Sequence, residues 1–431
     1  MRRVLRTCKR LGVEAVVVYS TADRDACYLE EAAEAVCLGP APASRSYLDR
    51  LAVIQAARQT GCSAIHPGWG FLSEDPLFAE LCAQHGLTFV GPPPHVTRLM
   101  GRKVSARAAA ARAGLDPIPG SDGILHSAEE ARKVADAVGY PVILKADAGG
   151  GGRGMRRVDG PDEVEEAFNL ASAEAEAAFA SGAMYLEKFL EGGRHIEFQV
   201  LVDAYGNAIH VGERECSIQR KHQKLIEESP SPALEPAVLA AAGVRAAQAA
   251  ARVGYVGAGT LECLLDDTGT LRFMEMNARL QVEHPVSELR SGLDLVELQL
   301  RVAANERLTV TQDDVKLEGS AIELRLNAEN PADGFRPDPG TISRLKWPEG
   351  VRVESHIQEG YRIPPHYDSL IAKLIVHAAD RPQAIAAAIQ ALDDLVLEGV
   401  HTTAPLLRAV LTSDAFQAGT YDVLSLPGWE G

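Results

Sequence analysis

No run of about 18 apolar residues occurs in the chain, so the pattern offers no transmembrane helix. The opening residues, MRRVLRTCKRLG, are basic but lack the apolar stretch of a secretory signal. Positive charge is in deficit: 43 Lys and Arg stand against 59 Asp and Glu, a net charge of -16 at pH 7. That balance argues against nucleic acid or an anionic membrane as a partner, while leaving room for a local basic site. The seven cysteines (Cys8, Cys27, Cys37, Cys62, Cys82, Cys216 and Cys263) contain no CxxC pair, so neither a zinc site nor a disulfide framework is indicated. Reduced thiols in a cytoplasmic protein are the expectation. There is no internal repeat, no long low-complexity linker, and no GK[ST] of a Walker loop.

What is present is a chain of 431 residues, enough for two or three domains with cores of their own. Val4, Leu5, Cys8 and Leu11 share one face of an opening helix, and the strand pattern Ala15–Tyr19 follows. A second helical stretch begins after Ser46. Two short apolar runs, Ser63–His66 and Thr88–Val90, each end in a Gly/Pro turn. This is βαβ logic and predicts a parallel sheet over the first hundred residues. Residues 101–310 mix helices and strands, residues 318–376 are rich in strand patterns, and Arg381–Leu397 has helical periodicity. His66, next to Pro67, reads as a turn-fixing or packing group rather than a catalyst.

The first chemical signal is a hairpin, GTLECLLDDTGTLRFMEMN, over Gly259–Asn277. With Thr268 and Gly269 as the turn residues, Glu262 falls opposite Glu275. Opposed carboxylates repel unless a cation lies between them, and two carboxylates with the Asn277 amide suit a hard ion such as Mg²⁺. From the second strand of the hairpin onward, Glu275, Asn277, Arg279, Gln281 and Glu283 alternate with Met274, Met276, Ala278, Leu280 and Val282. An extended strand would gather the polar set on one face; a half-buried strand with a solvated face fits the alternation too.

The second signal is a strand, glycine run and strand within YPVILKADAGGGGRGMRRV, Tyr140–Val158. Glycines let backbone N–H groups approach phosphate oxygens, and Lys145 and Arg153 add positive charge. A flap over a nucleotide and a plain hairpin tip both fit this run. A third segment, MYLEKFL at Met184–Leu190, is a short apolar strand carrying Glu187 and Lys188.

Together these motifs resemble the biotin carboxylases, the biotin-dependent branch of the ATP-grasp superfamily. The resemblance runs from about residue 3 to 425. It is carried by ADRD at Ala22–Asp25, HPGWGFLSE at His66–Glu74, MGRKVSA at Met100–Ala106, PVILKADAGGGGRGM, EKFL, RHIEFQV at Arg194–Val200 and ECSIQRKHQK at Glu215–Lys224. EMNARLQVEHPV at Glu275–Val286, ELRLNAE at Glu323–Glu329 and HYDSLIAKL at His366–Leu374 complete it. RLQVEHP after EMN is the most specific of these; the glycine run alone is not.

The resemblance implies an α/β and α+β fold in three parts. A Rossmann-like parallel sheet would occupy 1–100, an ATP-grasp domain 101–310 with a glycine-loop lid at about 118–190, and a mixed C-terminal domain 318–425. ATP would be held by Lys103, Lys145, Gly151, Gly152, Glu187, Lys188, Leu190, His195, Glu197, Gln219 and His222, with Glu262 and Glu275 reaching it through metal. Glu262, Glu275 and Asn277 would ligate Mg²⁺ or Mn²⁺, two ions in all. Lys224, Arg279, Gln281, Val282 and Glu283 would surround bicarbonate. Glu283 is the expected general base, Arg325 would face the biotin ureido oxygen, and Lys224 and Arg279 would share in catalysis. The implied reaction carboxylates carrier-bound biotin through carboxyphosphate, as the first half-reaction of an acyl-CoA carboxylase, with acetyl-CoA the expected acceptor. The implied partners are a biotin carboxyl carrier protein, carboxyltransferase subunits and a second copy of the chain. No Met-Lys-Met biotinyl motif and no carboxyltransferase segment is found in the sequence.

Three departures from the family pattern stand out. The chain opens directly in the helix that in the family follows a first strand and an Asn-Arg-Gly-Glu-Ile-Ala turn, so the first sheet is expected to be one strand short. Asp147 replaces a small residue before the glycines, where a carboxylate near phosphates would weaken ATP binding unless it faces water. Trp69 replaces a tyrosine. Two other readings remain open on the residues: a different ATP-grasp ligase that makes an acyl or carbamoyl phosphate, and a non-catalytic ATP-binding subunit.

Overall fold

The computed structural model describes residues 1–148, 154–221 and 223–429. The chain begins in helix α1 (Arg2–Leu11), whose buried Leu5 and Cys8 belong to the face read from the sequence. Strands β1 (Val16–Ser20) and β2 (Glu34–Gly39) pair in parallel. Helices α2 (Arg50–Gln59) and α3 (Pro76–Gln84) flank β3 (Ala64–Ile65), which pairs in parallel with β4 (Thr88–Phe89). The parallel pairing is as expected, but it forms two separate two-stranded ladders rather than one sheet. Asp49 and Asp75 cap α2 and α3 by accepting first-turn N–H groups.

Helices α4 (Pro94–Met100) and α5 (Lys103–Ala113) lead to an outlying unit. There β5 (Val142–Ala146) lies between β6 (Met155–Val158) and β7 (Met184–Lys188), covered by α6 (Ala128–Val138) and α7 (Val164–Phe179). Small alanines at Ala131, Ala135, Ala171 and Ala175 are fully buried and let the helices seat on Val142, Leu144 and Leu186. The glycine run Gly149–Gly152 and Arg153 lies outside the described residues.

The centre is one eight-stranded sheet. In spatial order it runs β12 (Leu271–Asn277), β11 (Gly257–Leu265), β8 (Arg194–Val202), β9 (Ala208–Arg220), β10 (Gln223–Ser229), β13 (Ser320–Asn327), β18 (Leu370–Ala378) and β17 (Arg352–Ser355), all antiparallel. Helix α8 (Pro236–Arg252) packs on β8 and β9 through Leu239, Ala242, Ala246 and Ala250. Helices α9 (His284–Ser291) and α10 (Leu295–Ala303) follow β12. Short pairs β14 (Glu329–Asn330) with β15 (Arg336–Pro337), and β16 (Arg344–Lys346) with β19 (Val396–Glu398), trim the far end. There α11 (Arg381–Asp394), α12 (Ala404–Thr412) and α13 (Asp414–Ala418) bury Ile385, Leu407, Val410 and Phe416.

Two expectations are corrected here. Helical periodicity to Leu397 overruns the helix: α11 stops at Asp394, and Val396–Glu398 pair as a strand with Arg344–Lys346. The alternating row from Glu275 to Glu283 is a strand only as far as Asn277, after which the chain bends and turns into α9. All seven cysteines are free, and no described helix is long and apolar enough to cross a membrane.

Candidate active site

The hairpin places Glu262 opposite Glu275, as the sequence predicts. The turn differs. Asp266–Thr270 form a five-residue loop closed by the Asp266 carboxylate, and the register is restored by a bulge between Glu262 and Cys263. Glu262 also lies opposite Glu197 on β8, and Glu197 lies opposite Arg214 on β9. One row across four strands therefore reads Glu275, Glu262, Glu197, Arg214. In a half-buried sheet such a row of acids stands only if cations enter it.

They do. Lys224 Nζ donates to Glu197 at 2.5 Å, to Glu262 at 3.0 Å and to Glu283 at 2.6 Å. His195 Nε2 lies 3.1 Å from Glu262 Oε2. Lys103 Nζ donates to Glu275 at 2.5 Å. Although β12 ends at Asn277, the bend returns the later polar groups to the row. Gln281 Nε2 donates to Glu262 at 2.7 Å, and Arg325 reaches Glu283 at 2.8 Å. Arg279 donates to Asn277 Oδ1 and to Glu74. Val282 presents its carbonyl to Lys373. Gln219 sits across from Lys224 in the β9–β10 ladder. Lys224, Arg279, Gln281, Glu283 and Arg325 thus share one interconnected network with Glu197 and Glu262.

The charges set the acidities. Burial pushes the Glu283 carboxyl up, but Lys224, Arg325 and Arg214 outweigh it and hold it well below the usual carboxylate range. Glu262 is held down in the same way against burial, by Lys224 and His195. His195 is pushed down by burial and raised, on balance, by Glu262.

The second group of expected nucleotide ligands lies on the outlying unit. Glu187 is buried and accepts from Lys145 at 2.5 Å and from Arg107. Lys188 turns its ammonium onto the Gly139 and Tyr140 carbonyls at 3.0 and 2.8 Å, so it is engaged with backbone. Leu190 is half-buried just past β7. Gly151, Gly152 and His222 lie outside the described residues.

The fit to a divalent ion is partial. Glu262 and Glu275 are oxygen donors on facing strands, with Lys103, Lys224 and His195 supplying positive charge around them. Asn277, however, turns its Nδ2 toward Glu262 at 2.8 Å and its oxygen toward Arg279. Glu262 and Glu275 have the oxygen chemistry for a hard cation, but an ion would take the place of their present Lys, His and amide donors, and Asn277 would offer its oxygen only after leaving Arg279.

The structure adds residues the sequence reading did not assign. Arg214 is fully buried and donates to Glu197 at 2.5 Å, Gln199 at 2.9 Å, Ser287 at 2.9 Å, Thr260 at 3.3 Å and Gln281 at 2.8 Å. It fixes both Glu197 and Gln281. Glu74 accepts from Ala278 N at 2.9 Å and from Arg279, holding the bend after β12. Asp147 does not face water. It is buried, accepts from Val104 N at 2.9 Å, and caps α5 beside Lys103. His66 accepts from Gly68 N at 3.0 Å, the turn-fixing role read from its place before Pro67.

Comparisons with known proteins give the family. Three family models cover the chain in order. They are the biotin carboxylase N-terminal domain over residues 1–97, the carbamoyl-phosphate synthase L chain ATP-binding domain over 102–311, and the biotin carboxylase C-terminal domain over 323–427. Biotin carboxylase of Pseudomonas aeruginosa is 50% identical over 424 residues, covering 98% of this chain and 94% of that protein. Biotin carboxylase 2, chloroplastic, of Populus trichocarpa is 49% identical over 431 residues, covering 99% and 82%. A crystal structure of the Campylobacter jejuni biotin carboxylase–βγ-ATP complex matches with a TM-score of 0.95 at 47% identity, over 98% of this chain and 95% of that one. The biotin carboxylase domain dimer of Hydrogenobacter thermophilus 2-oxoglutarate carboxylase, with MgADP, ADP and bicarbonate, matches with a TM-score of 0.94 at 46% identity, over 98% and 93%. Fold and site define a carboxylating ligase of the ATP-grasp type. The chain belongs to the biotin carboxylase family.

Proposed function

We propose that this chain uses ATP and bicarbonate to carboxylate biotin borne on a separate carrier protein, through carboxyphosphate. The observation that carries the reading is the convergence of Lys224, Gln281, Glu283 and Arg325 on the acidic row that contains Glu262 and Glu197. Lys103, Lys145, Glu187, His195, Glu197 and Gln219 bind the nucleotide side, with Lys188, Leu190, His222, Gly151 and Gly152 completing it. Lys224, Arg279, Gln281 and the Val282 backbone hold bicarbonate. Glu283 takes its remaining proton, so that a bicarbonate oxygen attacks the γ-phosphorus as the bond to ADP breaks. Glu262 and Glu275, with Asn277 once its amide turns, would hold Mg²⁺ or Mn²⁺, which would supply positive charge beside the transferring phosphoryl group. Arg325, with Arg279, stabilises negative charge on the biotin oxygen when its ureido nitrogen loses a proton; arginine stays charged throughout.

The low proton affinity of Glu283 fits this order of events. With Lys224 divided among three carboxylates, Glu283 is a weak base. Drawing Lys224 onto bicarbonate removes the strongest group that holds Glu283 down. The division at 1–100, 101–310 and 318–425 belongs to the same reading, as do carrier and carboxyltransferase partners, a homodimer, a cytoplasmic setting and acetyl-CoA as the eventual acceptor. ADP release should need bicarbonate and rise further on adding free biotin. ADP release indifferent to both sinks the reading. Co-purified carboxyltransferase partners taking an acyl-CoA, rather than a 2-oxo acid, would support the acceptor.

A further inference from the structure

Behind Arg325 lies a second pair of opposed acids that the reaction as read does not use. Glu227 on β10 and Glu323 on β13 are direct partners in the antiparallel ladder, so their side chains leave the same face of the sheet side by side. Both are fully buried. Arg325, two residues along β13 on that face, donates to Glu227 at 2.6 Å and to Glu283 at 2.8 Å. Glu227 Oε2 and both oxygens of Glu323 have no hydrogen-bond partner among the described residues.

The cations nearby are committed elsewhere. Lys224 serves Glu197, Glu262 and Glu283. Arg325 is shared between Glu227 and Glu283. Lys373 on β18 lies 3.4 Å from Glu323, but its hydrogen bond goes to the Val282 carbonyl. Glu354 on β17, the partner of Lys373 in the next ladder, is engaged by Arg6 and Arg352. From α9, His284 is buried and pushed well below its usual range, first by burial and then by Lys373, so it adds no positive charge. Cys216 on β9 is a buried thiol held protonated by burial and adds none either. Glu323 is the carboxyl with least compensation, and two bare carboxylates on directly paired, buried residues repel strongly.

We propose that Glu227 and Glu323 share one proton, and that this proton sets how much positive potential Arg325 presents to the biotin oxygen. With the proton in place the pair carries one negative charge, and Arg325 keeps potential to spare for the substrate. When the proton leaves, the pair carries two, and Arg325 is neutralised from behind. No bond in the substrates changes and the proton goes to solvent. Glu323 is a positioning and tuning residue acting through Arg325, so this inference rests on Arg325 facing biotin. In support, burial, with Glu227 and Glu283 adding to it, pushes Glu323 up to about 8 against Lys373 and Arg325. Burial likewise raises Glu227.

Infrared spectra of the substrate-free protein, titrated from pH 6 to 10, read the proton directly. A carboxylic-acid carbonyl band should be present at pH 7, fade near pH 8, and be missing from E323Q. In E227Q its midpoint should fall, because the neighbouring charge is gone. A band untouched in E323Q, or a midpoint unmoved in E227Q, overturns the shared proton. In assays with free biotin, the KM for biotin should rise several-fold above pH 8 in the parent protein and stay flat in E323Q; a parallel rise in both overturns the link to Arg325. Because the spectra need no substrate, inactivity of the parent protein would count against the proposed reaction and leave the proton test standing.

Discussion

Lys224 shows how single residues share charge in this site. Its ammonium is buried and donates to three carboxylates, and it opposes burial more strongly than any other group at Glu283. In K224M, Glu283 should titrate higher and ADP release should fall by about 100-fold or more, the scale for loss of one preorganised charge at a reacting centre. Steady-state assays with and without bicarbonate check this; a loss under tenfold goes against the assignment. Arg214 belongs to the same scale. R214M leaves Glu197 buried with one cation fewer and should lose about 3–5 kcal/mol of stability, measured as a lower urea midpoint. The opposed acids Glu262 and Glu275 show in the hairpin pattern of the sequence, whereas Arg325 is pointed to only by the resemblance of its ELRLNAE motif. Arg214 was not legible: its partners lie 15 to 73 residues away, and nothing around GERECS marks it as the group that fixes Gln281.

At the scale of elements, the opposed glutamates of the β11–β12 hairpin were readable and the bulge that preserves their register was not. A one-residue slip changes which side chains face the core; here Phe273 faces it before the bulge and Met276 after it, so strict alternation could not place the slip. Alternation also persisted past the end of β12, because the bend from Ala278 to Glu283 keeps its polar groups pointing into the site without a ladder. The end of β5 shows an element borrowing a cap. Asp147 accepts from the second residue of α5, and its carbonyl accepts from Lys103 N at 3.2 Å. D147A should lose about 1 kcal/mol of stability, typical of a lost helix cap, and should raise the KM for ATP through Lys103 while leaving kcat within about twofold. D147N should restore most of both. Calorimetry and ATP titrations check the split; a fall in KM for D147A goes against the cap.

For the whole molecule, the eight-stranded sheet runs through the boundary that the sequence places near residue 310. Its length was not legible because β13 and β18 pair with strands far from them in the chain, and local patterns do not report sequence-distant pairing. Buried histidines give the fold a pH signature. Burial holds His66 and His356 down at about 4, against about 6.5 in an unfolded chain. Between pH 6.5 and 4 the unfolded chain takes up protons that the folded one refuses. Stability should therefore fall with falling pH, by about 1.4 kcal/mol per pH unit for each histidine. Urea midpoints at pH 7 and pH 5 check this, and H66Q should remove one histidine's share of the slope, about 1.4 kcal/mol per pH unit; stability unchanged across that window goes against it.

The central claim is that bicarbonate, deprotonated by Glu283 beside Lys224 and Arg325, attacks the γ-phosphorus of ATP. Heavy-oxygen-labelled bicarbonate tests it most directly. Turnover with free biotin should put one labelled oxygen into the released phosphate and leave the others in carboxybiotin. Unlabelled phosphate, with carboxybiotin still formed, would contradict the account.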